Sequence, residues 1–265
     1  MSRFNRLEFE PSRKPPADAP SAEPQARRIT PDPDHDEHHW LKLAEAQRRL
    51  GQYENALRFY SRALEWDKSV VSGWVGQVRM LIALEEYPEA ELWARKALEL
   101  FKNNADLLAG RAQALSRLAK MKDALGSSDA SINQPGHGSY PWLVRGELML
   151  ARGEKTADYC FGKAMQMDGD WLLLLEIGQT HLHYGHAASG LEPTRRAVQR
   201  APDQVLAWYC QGQCEAALGL SDAATVSFER CLDLLPDYAD ARIALEQLSR
   251  AKPVRGFLKT WFGLK

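Results

Sequence analysis

The stretch WLKLAEAQRRLGQYENALRFYSRALEWD, which runs from Trp40 to Asp67, decides the fold of this 265-residue chain. Apolar residues such as Leu43 recur at helical spacing in its first half, and others do so over residues 53–63. Gly51 separates the two halves, because glycine readily adopts the backbone conformation of a tight turn. The stretch therefore predicts two amphipathic helices joined by a short turn.

The same pattern returns about every 34 residues along the chain. Trp40 and Trp74 are 34 residues apart, and Trp142 lies two further periods on. Small residues repeat in steps of 33 or 34, in the series Ala56, Ala90, Ala124, Ala157, Gly190 and Ala224. A second small series follows seven residues later: Ala63, Ala97, Ser131, Ala164, Ala197 and Cys231. Two series that share one period indicate an internal repeat in which helices pack closely at their small residues.

These residues resemble the tetratricopeptide repeat family. The first copy matches nearly every anchor of the family pattern, and the last copy, from Trp208 to Pro236, is close to it. The middle copies are looser, since the third has Ser128 and Ser131 where bulk and alanine are expected. The resemblance implies an all-α fold, a right-handed superhelical solenoid of about six helix-turn-helix repeats with a C-terminal capping helix.

The resemblance and the composition together predict the domain organisation. Seven of the 14 prolines fall in the first 33 residues, which indicates a disordered tail. A solenoid needs a terminal helix over its last apolar face, and the segment after Pro236 fits that role. The expected units are a proline-rich tail over 1–36; six repeats over 37–238, divided as 37–70, 71–104, 105–138, 139–170, 171–204 and 205–238; a capping helix over 239–250; and a basic, aromatic tail over 251–265.

Composition excludes several classes of function. Lys and Arg total 34 and Asp and Glu total 35, which argues against nucleic acid as the main partner. The longest apolar runs, Met80 to Leu84 and Trp171 to Leu175, fall far short of the roughly 20 residues that span a membrane. The N-terminus lacks the apolar core of a signal peptide, so we expect a cytoplasmic protein. The four cysteines lack the spacing of a zinc site and are expected to be buried apolar residues.

No known catalytic or cofactor motif occurs in the chain. The phosphate-binding loop, the dinucleotide-binding glycine pattern, the nucleophile elbow and the zinc-protease motif are all missing. His35 and His39 have a spacing that can bind a metal, but the acidic residues around them are typical of the start of a helix. We interpret His181, His183 and His186 as structural residues of a turn between helices. The sequence therefore predicts no enzyme activity, no cofactor and no metal site.

The resemblance implies that the first helix of each repeat lines a concave surface that binds peptide. The family's basic and asparagine residues for a terminal carboxylate are missing here, since Leu41 and Glu45 stand in their places. The middle and late parts of the surface look apolar, which favours an apolar or amphipathic partner segment. The alternative is that the register is off by one and some of these residues are core. The partner-binding candidates are Leu41, Glu45, Val75, Arg79, Ile82, Gln113, Leu143, Glu147, Leu150, Leu175, Gln179, Leu182, Tyr209 and Gln213.

The two tails carry apolar residues among charges. The last 15 residues, AKPVRGFLKTWFGLK, combine an aromatic face with side chains whose only charges are positive. This tail either folds back on the solenoid, docks on a partner or a neighbouring subunit, or touches an anionic membrane surface weakly. The N-terminal residues suggest a short motif that orders on binding. The docking candidates are Phe4, Leu7, Phe9, Phe257, Leu258, Trp261 and Phe262.

The sequence therefore favours a non-catalytic scaffold or adaptor that binds a protein partner in its concave groove. A dedicated chaperone for an assembly or secretion-system client is one alternative. A self-assembling structural protein, in which the C-terminal tail inserts into the next subunit's groove, is another and would make the chain a homo-oligomer.

Overall fold

The computed structural model describes residues 36–251, and every regular element in this part of the chain is an α-helix. The predicted all-α fold is confirmed. The helices are α1 (Glu37–Arg49), α2 (Tyr53–Trp66), α3 (Val71–Ala83), α4 (Tyr87–Leu100), α5 (Ala105–Arg117), α6 (Met121–Ile132), α7 (Ser139–Ala151), α8 (Thr156–Met167), α9 (Trp171–His183), α10 (Ala187–Arg200), α11 (Val205–Ala217), α12 (Ser221–Leu234) and α13 (Ala239–Ala251).

The helices pack as six consecutive pairs, from α1 with α2 to α11 with α12, and α13 covers α12. We number these pairs as repeats one to six. The alanine series that the sequence predicts as a packing feature lies in the interior, with Ala56, Ala90, Ala124 and Ala224 all at 0% exposure. Small side chains at these positions allow the two helices of a repeat to approach closely.

The turn within a repeat keeps one backbone geometry even where glycine is absent. Gly51 has a φ of 76°, and Glu85 and Ala119 hold the equivalent positions in repeats two and three at 62° and 58°. In each turn the next backbone N–H donates to a carbonyl five residues back, as Glu86 does to Leu81 at 2.9 Å. This Schellman arrangement satisfies the free carbonyls of the helix end, which offsets the cost of a non-glycine residue there.

The chain curves because the first helices of neighbouring repeats pack against one another more extensively than the second helices do. Contacts join α1 to α3, α3 to α5, α5 to α7, α7 to α9 and α9 to α11. The first helices therefore form the inner wall of a superhelix and the second helices its outer wall. The junction between repeats four and five, formed by α7 and α8 against α9, is the least extensively packed.

The cysteines and the apolar runs have ordinary structural roles. Cys160, Cys210, Cys214 and Cys231 are free and buried, as predicted. Burial raises the pKa of each thiol, which keeps it protonated and unreactive. Within residues 36–251, no helix has the length and apolar character that crossing a membrane requires. The tail-docking candidates Phe4, Leu7, Phe9, Phe257, Leu258, Trp261 and Phe262, like His35, lie outside the described residues.

One buried histidine couples the packing of repeats four and five to pH. His181 of α9 is 6% exposed, its ring lies 5.2 Å from that of Phe161 between centroids, and its buried Nδ1 has no hydrogen-bond partner among residues 36–251. Burial lowers the pKa of His181, and nearby His186 lowers it further, while Asp158 opposes the shift. The folded state therefore prefers a neutral ring, and its stability is complete only above the ordinary pKa of 6.5.

We expect His181→Leu to flatten the pH dependence of stability. As the pH falls from about 7.5 to about 5.5, His181 binds a proton more readily in the unfolded state of the unmutated chain than in its folded state. The free energy of unfolding therefore falls. The variant lacks this proton linkage. Urea midpoints at both pH values measure the difference, with His38→Leu as the control because His38 is 80% exposed. The same pH slope in His181→Leu as in the native chain would contradict this account.

Candidate functional site

The superhelix closes on itself, because the end of the first repeat reaches the fifth. Arg48 Nη1 donates to Glu176 Oε1 at 2.9 Å, across 128 residues of sequence. Arg49 forms an ion pair with Asp170, and its guanidinium carbon lies 5.6 Å from the ring centre of Trp171. These three contacts tie the C-terminal end of α1 to the N-terminal half of α9.

The turn after α1 sits directly on repeat six. A Cβ placed on Gly51 would lie 2.7 Å from Leu206 Cδ1 and 2.8 Å from the Tyr238 hydroxyl oxygen. Leu206 belongs to α11, and Tyr238 immediately precedes α13. The first repeat therefore occupies the concave side of repeats five and six. We call the contacts of Arg48, Arg49 and Gly51 with these repeats the closure contact.

A charged cluster continues inward from the closure contact. Both Nε and Nη2 of Arg48 donate to the carboxylate of Glu45 at 2.9 Å, and Arg79 Nη2 donates to Glu176 Oε1 at 2.5 Å. The guanidinium of Arg79 also lies 4.2 Å from the ring centre of Tyr140. Burial alone would raise the pKa of Glu45, but its hydrogen bonds and charge interaction with Arg48 outweigh burial and lower it. The Glu45 carboxylate therefore stays ionised at neutral pH.

A second cluster surrounds a fully buried carboxylate. Glu147 of α7 has 0% exposure, and its oxygens accept hydrogen bonds from Arg117 Nε at 2.5 Å, Gln113 Nε2 at 2.7 Å and the Tyr184 hydroxyl at 3.3 Å. Tyr140 in turn donates to Gln113 Oε1 at 2.7 Å. Repeats three, four and five thus share one polar network. Burial, followed by the Glu147 charge, raises the pKa of Tyr184 to about 12, so its hydroxyl remains a donor.

Two adjoining cavities lie between the charged clusters on the concave side, and we call the one of about 210 Å³ the larger cavity and the one of about 50 Å³ the smaller cavity. A more open pocket of about 590 Å³ lies apart from them along α1. The larger and the smaller cavity are both bordered by Arg48, Arg79, Tyr140, Leu172 and Glu176, so these side chains form the partition between them. The larger cavity also has a mouth at the turns of repeats two and five. That mouth is bordered by the exposed residues Ala83, Glu85 and His183.

The structure corrects the expected apolar groove. Leu143 is 2% exposed and Leu175 is 0% exposed, so both are core residues rather than the walls of an open groove. Ile82 at 8% and Glu147 at 0% are buried as well. Adjacent first helices pack side by side here, which shields positions that would face outward on a straight solenoid.

The remaining candidates divide between the cavity and its surroundings. Arg79, Ile82, Gln113, Leu143 and Gln179 border the larger cavity, while Glu45 and Glu147 belong to the charged clusters. Seven candidates lie elsewhere on the superhelix: Leu41, Val75, Leu150, Leu175, Leu182, Tyr209 and Gln213.

Twelve residues that border the larger cavity are not among the candidates: Arg48, Tyr53, Met80, Ala83, Glu85, Tyr87, Arg117, Tyr140, Leu172, Glu176, Thr180 and His183. For Arg48, Arg117 and Glu176 the signal in the sequence is charge at inward positions of first helices. Their pairing joins residues up to 128 positions apart, so no local pattern could reveal it.

One exposed acidic group lies near the N-terminus of α1. Asp36, Glu37 and His38 place their ligand atoms within 4.8 Å of one another. Asp36 Oδ1 accepts the backbone N–H of His39 at 2.9 Å, so this aspartate caps the helix, as the sequence suggests. A capping role accounts for its position.

Comparison with known proteins identifies the repeat. A family model for the tetratricopeptide repeat matches residues 40–70. A solved tetratricopeptide repeat protein from Parabacteroides merdae ATCC 43184 aligns with a TM-score of 0.51 and 16% identity, over 84% of this chain and 88% of that one. Residues 40–70 are therefore a tetratricopeptide repeat, and the chain as a whole has the fold of tetratricopeptide repeat proteins.

A second solved structure shares the fold of this chain. It is the APC/C hetero-tetramer Cut9–Hcn1, whose matching chain aligns with a TM-score of 0.50 and 12% identity over 80% of this chain. The match covers 43% of that chain, so the present protein spans less than half of its length. The search of curated proteins returned no match to this chain. The predicted superhelical repeat architecture is thereby confirmed, and this fold supports a general role in binding proteins.

Proposed function

We propose that the chain is a non-catalytic scaffold or adaptor that binds a segment of one protein partner on its concave side, entering at the mouth of the larger cavity. The observation that carries this proposal is the cavity itself, which opens between the turns of repeats two and five. Tetratricopeptide repeat proteins are generally non-catalytic scaffolds, and a rigid array of repeats presents a preorganised surface for a partner.

The wall of the cavity favours an amphipathic segment with polar groups over a purely apolar one. Arg79 and Arg117 each direct one nitrogen to a carboxylate of this chain, and a guanidinium carries five N–H donors. The carboxylates of Glu85 and Glu176 supply acceptors on the same wall, and Met80 supplies apolar surface. A partner that offers both donors and acceptors, together with one apolar side chain, matches this lining.

A photo-crosslinking residue at position 83 tests the proposal in the native host. Ala83 is exposed at the mouth, whereas Arg95 is exposed on α4, a second helix, and provides the matched control position. We expect a discrete adduct with one protein from position 83 and none from position 95. Equal adducts from both positions, or none from position 83, would refute the proposal.

The mass and fate of the adduct separate the alternatives. An adaptor remains in a stable complex with its partner, whereas a dedicated chaperone is missing from its client's finished assembly. An adduct of twice the chain's mass, with light scattering that shows the same oligomer, would instead indicate the self-assembling protein.

A further inference from the structure

The first repeat sits on repeats five and six in the way that a bound partner would. Its contact residues come from one short stretch, Arg48 to Tyr53, which leaves α1 and enters α2. They lie against the N-terminal half of α9, against α11 and against Tyr238, all on the concave side of the late repeats. The late concave surface is therefore already occupied by a segment of its own chain.

This occupied surface has a definite chemistry. It offers the carboxylates of Asp170 and Glu176, the ring of Trp171 and the apolar side chain of Leu206, with the Tyr238 hydroxyl beside it. We call these five residues the acidic face. With the arginines in place, Asp170 and Glu176 still keep 30% and 22% of their side-chain surface exposed.

The internal occupant shows what the acidic face accepts. Two adjacent arginines, Arg48 and Arg49, meet the two carboxylates, and Arg49 also lies over the indole ring. Two residues later Gly51 packs against Leu206 and Tyr238, and a Cβ there would have to displace the ends of both side chains. The surface therefore selects two adjacent basic side chains, followed at a fixed distance by a residue without bulk.

We propose that the acidic face binds a partner segment with two adjacent basic side chains and a glycine two residues later, and that the first repeat competes with this segment for the face. The inference rests on the proposed function, since it assumes that partners bind on the concave side. It adds the chemistry of the partner segment and the competition by the first repeat, which limits the partner's access to the acidic face.

The superhelix has a place where it can open for such a partner. The junction between repeats four and five is the least extensively packed, and in the sequence it lies between the first repeat and the repeats on which the first repeat rests. Movement there separates α9 from α1 without disrupting the packing inside any repeat. Because the first repeat is attached to the same chain, it competes at a high effective concentration. Weakening the closure contact should therefore raise the apparent affinity for the partner.

A peptide with the chain's own sequence AQRRLGQYE, residues 46–54, is the probe. Fluorescence anisotropy measures its binding to the full chain and to three sets of variants. The double variant Arg48→Ala/Arg49→Ala weakens the closure contact. The double variant Arg58→Ala/Arg62→Ala removes the same charge from α2, where these arginines are 75% and 51% exposed. Adding Asp170→Asn/Glu176→Gln to the first double variant removes the carboxylates of the acidic face.

We expect the first double variant to bind the probe about tenfold more tightly than the native chain, and the Arg58/Arg62 variant to bind it as the native chain does. The combined variant should lose the gain, and AQEELGQYE should not bind. Unchanged affinity in the first double variant, a gain that survives loss of the carboxylates, or equal binding of the glutamate peptide would each overturn the inference.

A second variant covers the case in which the double arginine variant does not fold by circular dichroism. Gly51→Ala removes no charge but places a methyl group against Leu206 and Tyr238, and Ala119 shows that alanine fits the equivalent turn. It should tighten probe binding and enlarge the radius of gyration in X-ray scattering. Probe binding uses no cellular partner, so its failure leaves the position 83 crosslink as a separate test of the proposed function.

Discussion

Arg117→Met is expected to lower the free energy of unfolding by about 3–5 kcal/mol. The guanidinium of Arg117 is the only cation that contacts the carboxylate of Glu147 within residues 36–251, and that carboxylate has no exposed surface. Without it, a negative charge stays in the interior with only the neutral donors Gln113 and Tyr184. Methionine preserves the apolar stem of arginine, so little of the loss comes from a new void. Urea unfolding followed by circular dichroism measures the change.

Two further variants show whether the buried charge causes the loss. Arg230→Met removes an arginine that is 52% exposed and pairs with the 66% exposed Asp233, so it should cost no more than about 1 kcal/mol. Adding Glu147→Gln to Arg117→Met removes the stranded charge but keeps an acceptor for Gln113, and should recover stability. If Arg117→Met/Glu147→Gln is as unstable as Arg117→Met alone, the loss comes from packing and not from the buried charge.

Gly190→Ala is expected to destabilise the protein by about 1–3 kcal/mol. The backbones of Gly190 in α10 and Gly178 in α9 meet each other directly. A Cβ at position 190 would lie 2.7 Å from the Gly178 carbonyl oxygen, and one at position 178 would lie 3.0 Å from the Gly190 carbonyl oxygen. The obstructing atoms belong to the backbone, so no side-chain rotation relieves the overlap, and the two helices must move apart.

Gly162→Ala makes the same chemical change where there is space. A Cβ on Gly162 of α8 would meet no heavy atom of the described part of the chain within 4 Å, so alanine should stabilise the helix by about 0.5–1 kcal/mol. The two substitutions are therefore expected to have opposite signs in urea denaturation. A loss of stability at position 162 would show that glycine is required there for another reason, and a neutral result at position 190 would contradict the close-approach argument.

The sequence predicts the repeat because its determinants are local. Ala56 and its equivalents face the partner helix of the same repeat, so their spacing depends only on helix geometry and the length of the turn. The small residue at Gly190 belongs to this series, but the series does not show that the backbones of α9 and α10 meet at this point. That contact requires glycine on both helices, and Gly178 supplies the second.

The candidate site could not be predicted to the same extent. Helical spacing places Leu143 and Leu175 on the inward face of their own helices, but their exposure depends on how neighbouring first helices pack. The closure contact depends on the summed rotation of five repeats, so a small error in each would separate Arg48 from Glu176. Local patterns therefore identify the helices and their small residues, but they do not give the radius of the superhelix.

The closure contact also changes how the array can unfold. In a linear array the end repeats have one neighbour each, so they fray first and unfolding spreads inward from either end. Here the first repeat gains repeats five and six as additional neighbours through Arg48, Arg49 and Gly51. Unfolding of either end then removes contacts that stabilise the other end. We therefore expect the first and last repeats to unfold together rather than to fray independently.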